Sequence, residues 1–209
     1  MKGLIRKDLY FLENSLKMLV IAMIVIGIGV SFLISTEIFI IIFPIVLGSV
    51  ILVTIPKEKN TKWDKFIAMT PLSKDTLLNS KYLLYLAMTT LGIIIGTVVT
   101  FLSYIFTKEV NFMNLYSSIG LSISVSLLSG GISIPINFLW SEERAIIGQI
   151  SSYSLIAMFL VAVLYGINLF IPVKDNIETI IGILGVISII FYMFSWSIGK
   201  KKVLKLEYN

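Results

Sequence analysis

The chain has 209 residues, a formal net charge of +5 and a mean hydropathy of +0.96, with 57% hydrophobic and 14% charged residues and neither cysteine nor histidine. A soluble domain of this length has no way to hide so much apolar surface in one core, and the lack of Cys and His excludes disulfide frameworks, thiolate metal sites and the commonest general base. The composition therefore predicts an all-α, polytopic membrane protein with no catalytic residues, no metal site and no cofactor of its own.

The opening stretch, MKGLIRKDLYFLENSL, keeps charges through Lys17 and has no small-residue cleavage site, so it is not expected to be a signal peptide. It reads as an amphipathic helix over about 2–15. The first apolar span follows at about 16–35 and the second at about 38–55. Only Thr36 and Glu37 separate them, which predicts a tight helical hairpin. Further spans are expected at about 82–106, 115–140, 149–171 and 179–198. Pro44 and Pro135 lie inside spans, where neighbouring helices or Ser/Thr hydroxyls must satisfy the carbonyls they free.

Between the second and third spans, residues 57–80 form a charged, half-apolar insert. Thr61 and Asp64 have capping-box spacing. Trp63, Phe66 and Ile67 fall at i, i+3 and i+4 and share one face of a short helix that Pro71 ends. Ser73 then caps a second helix, which carries Asp75 in its first turn and runs through Lys81 and Tyr82 into the third span. The insert fits two readings. One is an interfacial helix lying at the headgroups; the other is a docking element whose aromatic knob enters a groove on a partner.

In the fourth span, Ser118, Ser122, Ser126 and Gly130 recur every four residues, and Ser124, Ser129 and Ser133 widen the face. Small residues allow helices to approach closely in lipid; the same face would also make a mildly polar, uncharged wall of a translocation path. Gly130 and Gly131 followed by Pro135 would let this helix bend. The short segment 141–148 after it carries Glu142, Glu143 and Arg144.

Fifteen of the seventeen Lys and Arg fall in the N-terminal segment through Lys17, the insert taken as 56–81, the 141–148 loop and the C-terminal tail, giving those segments a net +7 against −2 for the remaining connections. The positive-inside rule places both termini and the insert in the cytoplasm. The spans hold no charge beyond their terminal turns, which argues against proton coupling. The sequence GxxxxGK[ST] is absent, so any nucleotide must be hydrolysed by another subunit.

An amphipathic helix, two spans, a cytoplasmic helical insert, four more spans and a basic tail resemble the ABC-2 family of ABC transporter permeases, in particular its short six-span bacterial members. MKGLIRKDLYFLENSLK is similar to the family's Met-Lys-x-Leu-x-x-Lys-Asp opening and elbow helix. TPLSKDTLLNSKYL is similar to its Leu-Pro-x-Ser-[Arg/Lys] element with Lys-Tyr further on, although Thr70 stands in place of the leucine before Pro71. IPINFLWSEERA resembles the Pro-led end of the fourth span and the charged loop after it, with Trp140 and Ser141 where aromatic-glycine is common.

The resemblance implies a single transmembrane domain over 1–209 in a bacterial plasma membrane. It implies that 57–70 is the main coupling helix, with Trp63, Asp64, Phe66 and Ile67 against a cytoplasmic ATPase that binds the ATP, and that Glu142, Glu143 and Arg144 form a second contact. It also implies an elbow helix along the inner leaflet with Leu4, Ile5, Leu9, Leu12 and Leu16 on one side, and pairing with a second permease copy or paralogue. The expected cargo is a hydrophobic or amphipathic molecule, with a peptide or toxin favoured, moving past Ser118, Ser122, Ser126, Ser129 and Ser133. Lipid is the expected surrounding and nucleic acid is not an expected partner. The alternative is a non-transporting immunity or sensor protein that acts by binding a partner.

Overall fold

The computed structural model describes residues 2–30, 35–61, 74–107, 112–169, 172 and 176–204. Among them lie six helices and no strand: α1 (Lys2–Val30), α2 (Ile38–Asn60), α3 (Lys74–Thr107), α4 (Phe112–Leu139), α5 (Glu142–Asn168) and α6 (Ile177–Leu204). The helices α2 to α6 are each long and apolar enough to cross a membrane, and α1 joins them when its two limbs count as one span. The protein is thus a polytopic, all-α, multi-pass membrane protein. The limbs of α1, Gly3–Asn14 and Leu16–Gly27, meet at 56°, next to the position where the sequence places the junction of amphipathic helix and first span.

Several helices run past the apolar blocks that define them. The 34 residues of α3 reach about 50 Å against a hydrocarbon layer of roughly 30 Å, so its ends project. Helix α2 continues through the buried Pro56 to Asn60. Thr61 closes α2: its backbone N–H and its hydroxyl both donate to Lys57 O, at 3.1 and 3.2 Å; the helix it is expected to cap lies outside the described residues. The expected 141–148 loop is largely the first two turns of α5. Ser141 is extended at its N-cap, no Pro or Gly interrupts the chain before Gly148, and Glu142 and Glu143 sit where the helix dipole favours negative charge. Helix α6 likewise continues through the basic run at 200–202.

The bundle centres on α2, α3 and α4. Helices α2 and α3 form its most extensive contact, and glycine makes that possible. A Cβ on Gly92 would sit 2.5 Å from Pro44 Cα, and one on Gly96 would sit 2.8 Å from Ile40 Cα. This G-x-x-x-G pair therefore brings two backbones together, the usual solution where lipid supplies no hydrophobic drive between helices. Ile51, Leu52, Leu78, Tyr82, Tyr85 and Ile134 form the fully buried centre. A second cluster joins Leu128 of α4, Ile156 and Leu160 of α5, and Ile180 and Leu184 of α6. Helix α5 is the outlying member: only 17% of its apolar window is buried, against 56% for α2, and Ile147, Met158, Val161 and Tyr165 face outward.

Pro44 and Pro135 are each compensated by a serine of another helix. Pro44 has no N–H for Ile40 O, and Ser122 of α4 donates to that carbonyl at 2.7 Å. Pro135 frees Gly131 O, and Ser195 of α6 donates to it. The expected relief by neighbouring hydroxyls is therefore present at both sites, and it cross-links α2 to α4 and α4 to α6.

Candidate functional site at the insert-bearing end

Trp63, Asp64, Phe66 and Ile67 lie outside the described residues, but both roots of the insert are visible. One root is the last turn of α2, ending at Asn60 and Thr61; the other is the first turns of α3 from Lys74. The first limb of α1 and the α4–α5 junction share this end of the bundle.

The α4–α5 junction is tied directly to the first root. Lys59 donates to Phe138 O, and to Trp140 O at 3.0 Å. These are carbonyls at a helix C-terminus, where the intrahelical donors run out and a cation is favoured. Immediately beyond, Glu142 opens α5, and the side chains of Glu143 and Arg144 are exposed. Trp140, Arg144 and Ile147 line a shallow cavity of about 280 Å³.

Deeper, four charges from three helices converge. Lys81 is fully buried, and its ammonium donates to Asp8 Oδ2 at 2.8 Å, Glu58 Oε1 at 2.8 Å and Thr54 Oγ1 at 3.1 Å. Lys7 also bridges the two carboxylates, pairing with Glu58 and lying 3.2 Å from Asp8 Oδ1. Two cations and two anions make the group formally neutral. A small cavity of about 170 Å³, lined by Lys7, Phe11, Thr54, Lys57, Glu58 and Thr61, opens beside it.

Sequence reasoning missed this group, although a signal for it exists. Leu4, Asp8 and Leu12 are spaced four apart and all three are buried, so Asp8 interrupts the apolar face of the amphipathic helix. Leu77, Lys81 and Leu84 show the same interruption in α3. A charge on a buried helical face requires a partner of opposite sign.

One turn further into the bundle, aromatic side chains join α3, α4 and α6. Tyr82 stacks on Trp196 with ring centroids 5.3 Å apart and planes 4° from parallel. Trp196 Nε1 donates to Asn79 Oδ1 at 2.7 Å, and Tyr192 OH donates to Tyr82 O at 2.9 Å. Tyr85 OH donates to Ser126 O at 2.9 Å and lies 2.9 Å from Ser129 Oγ.

The serines of the fourth span are held in the same framework. Ser122, Ser126, Ser129 and Ser133 are buried, whereas Ser118 is half-buried. Ser122 meets α2, Ser129 meets α3 and Ser133 meets Ser152 of α5 at 2.9 Å. In this conformation the face packs against neighbouring helices.

A family model described as "ABC-2 family transporter protein" matches residues 3–203. No curated protein and no solved structure matches the chain.

Proposed function

Because the chain belongs to the ABC-2 transporter family, we propose that it is the permease subunit of an exporter driven by a separate cytoplasmic ABC ATPase. The observation that carries this reading is Lys59. One side chain at the root of the insert holds the carbonyls at the end of α4, so that root and the start of α5 are joined. Joined roots suit a soluble partner that must push on both segments. The insert supplies the aromatic anchors Trp63 and Phe66 with Ile67 and Asp64. The start of α5 supplies Glu142, Glu143 and Arg144 as a second contact.

The excess of basic residues on these segments supports a cytoplasmic docking side and cytoplasmic termini, and the proposed setting is a bacterial plasma membrane. ATP is bound by the partner. Two permeases, identical or related, pair to enclose the path, and the outward apolar surface of α5 and of the second limb of α1 is available for pairing and for lipid. The path-wall role of Ser118, Ser122, Ser126, Ser129 and Ser133 is proposed for a second state, in which α4 has moved off α2 and α3. A hydroxyl-bearing, uncharged face suits an amphipathic peptide or toxin better than an ion.

The test is co-purification. The wild-type chain should retain an ABC ATPase co-expressed from its own operon, and Trp63→Ala with Phe66→Ala should release that ATPase while insertion and expression persist. Aromatic anchors seated in a groove commonly contribute about 2 kcal/mol each. Equal retention by the double variant would leave the insert as an interfacial helix and remove this mode of coupling.

A further inference from the structure

We propose that Lys81 is a positioning residue that locks the amphipathic limb of α1 onto both roots of the insert, so that displacement of the insert is delivered to α1 as well as to α2 and α3. The delivery half of this inference rests on the docking reading above; the mechanical half does not.

A lysine ammonium has three donors. Lys81 directs them at Asp8 of α1 and at Thr54 and Glu58 of α2 while belonging to α3. The site is saturated, and its charges cancel with Lys7 included. Glu58 stands four residues before position 62 and Lys81 eight residues after position 73, so their 2.8 Å contact closes the base of the insert. Asp8 attaches the amphipathic limb at the same point, and that limb leads through the 56° bend into the membrane limb of α1.

Stability is a poor explanation for such a group. A buried ion pair often gives no more stability than apolar residues of the same volume, because both charges must be desolvated. Greasy contacts between helices also tolerate sliding, whereas three directed, charge-assisted bonds fix both distance and orientation. What the group adds beyond packing is a fixed joint between three helices.

The test uses the full chain in lipid nanodiscs, where the absence of native cysteine makes spin labelling clean. Labels at Tyr10→Cys, on the exposed side of the amphipathic limb, and at Asn60→Cys, at the end of α2, report the joint by pulsed electron resonance. The parent should give one narrow distance distribution. Lys81→Met leaves the two carboxylates with Lys7 alone, which belongs to α1 and pairs with Asp8 and Glu58, neither of them in α3, and should broaden it. That variant also risks misfolding, so the deciding variant is Asp8→Asn/Glu58→Gln/Lys81→Met, which removes the three more buried of the four charges and leaves only Lys7, whose side chain is about a third exposed. It should fold, keep a melting temperature near that of the parent, and still give a broad distribution.

In the complex with the ATPase, the triple variant should keep basal hydrolysis while stimulation by cargo falls about tenfold, the scale of an ordinary coupling free energy. A narrow distribution in the folded triple variant overturns the inference, and so does full cargo stimulation. Loss of the fold in the triple variant also overturns it, since the group would then be holding the bundle together. The distance measurement needs no ATPase, so it decides whether the joint exists even where the docking reading fails.

Discussion

Ser122→Ala is the sharpest test of how the prolines are accommodated. Ile40 O is buried and has no intrahelical donor because residue 44 is proline, so the Ser122 hydroxyl at 2.7 Å replaces the missing bond. Removing it leaves a buried carbonyl unpaired, which costs about 1–3 kcal/mol in general. Cross-helix bonds in bilayers average about 0.6 and reach about 1.7 kcal/mol, so the expected loss is about 1–1.5 kcal/mol. Pro44→Ala restores an N–H to α2 that reaches the same carbonyl. In that background Ser122→Ala should cost less than about 0.5 kcal/mol, giving a coupling energy near 1 kcal/mol. Reversible unfolding in mixed micelles, followed by far-ultraviolet circular dichroism for all four chains of the cycle, measures this. An equal cost in both backgrounds would refute the assignment of Ser122 to the proline-freed carbonyl.

Gly92→Ala should destabilise α2–α3 packing by about 1–3 kcal/mol through overpacking, since the new methyl would meet Pro44 backbone at 2.5 Å; Gly166→Ala and Gly182→Ala meet nothing within 4 Å and should be tolerated in the same unfolding assay. Lys59→Met should weaken retention of the ATPase on an affinity column while leaving the fold intact, because it disconnects the root of the insert from the α4–α5 junction without altering Trp63 or Phe66. Cysteines at Asn60 and Lys201 should stay shielded from an impermeant maleimide in intact cells while one at Asn111 reacts; labelling of residue 60 from outside would reverse the orientation and the docking side with it.

Periodicity made the helices legible. Apolar blocks near 20 residues mark the spans, and the change from an amphipathic to an apolar pattern near Ser15 coincides with the bend in α1. The need to satisfy the carbonyls freed by Pro44 and Pro135 was also legible, because it follows from covalent structure alone. The identity of the donors was not: Ser122 lies 82 residues from Ile40 and Ser195 lies 64 from Gly131, and no local pattern encodes which helices touch.

The charged group shows the same boundary. Asp8 and Lys81, 73 residues apart, each read as an ordinary end-of-helix charge until their apolar flanks are considered together. Helix boundaries moved where the membrane pattern stopped but helix-forming residues did not, as at 142–148 and at the end of α6. The serine face was visible as a stripe, yet its partners on α2, α3 and α5 depend on how α4 is surrounded, which small-residue spacing leaves open.

On the proposed function, this chain moves its cargo only when a separate ATPase acts through the insert, which reconstitution in liposomes can decide. The chain alone should show no ATP hydrolysis and no cargo movement under an ion gradient. With its ATPase it should show hydrolysis stimulated by an amphipathic peptide cargo, and Trp63→Ala/Phe66→Ala should abolish that stimulation. Cargo movement by the chain alone without ATP, or stimulation undiminished in the double variant, would contradict the account.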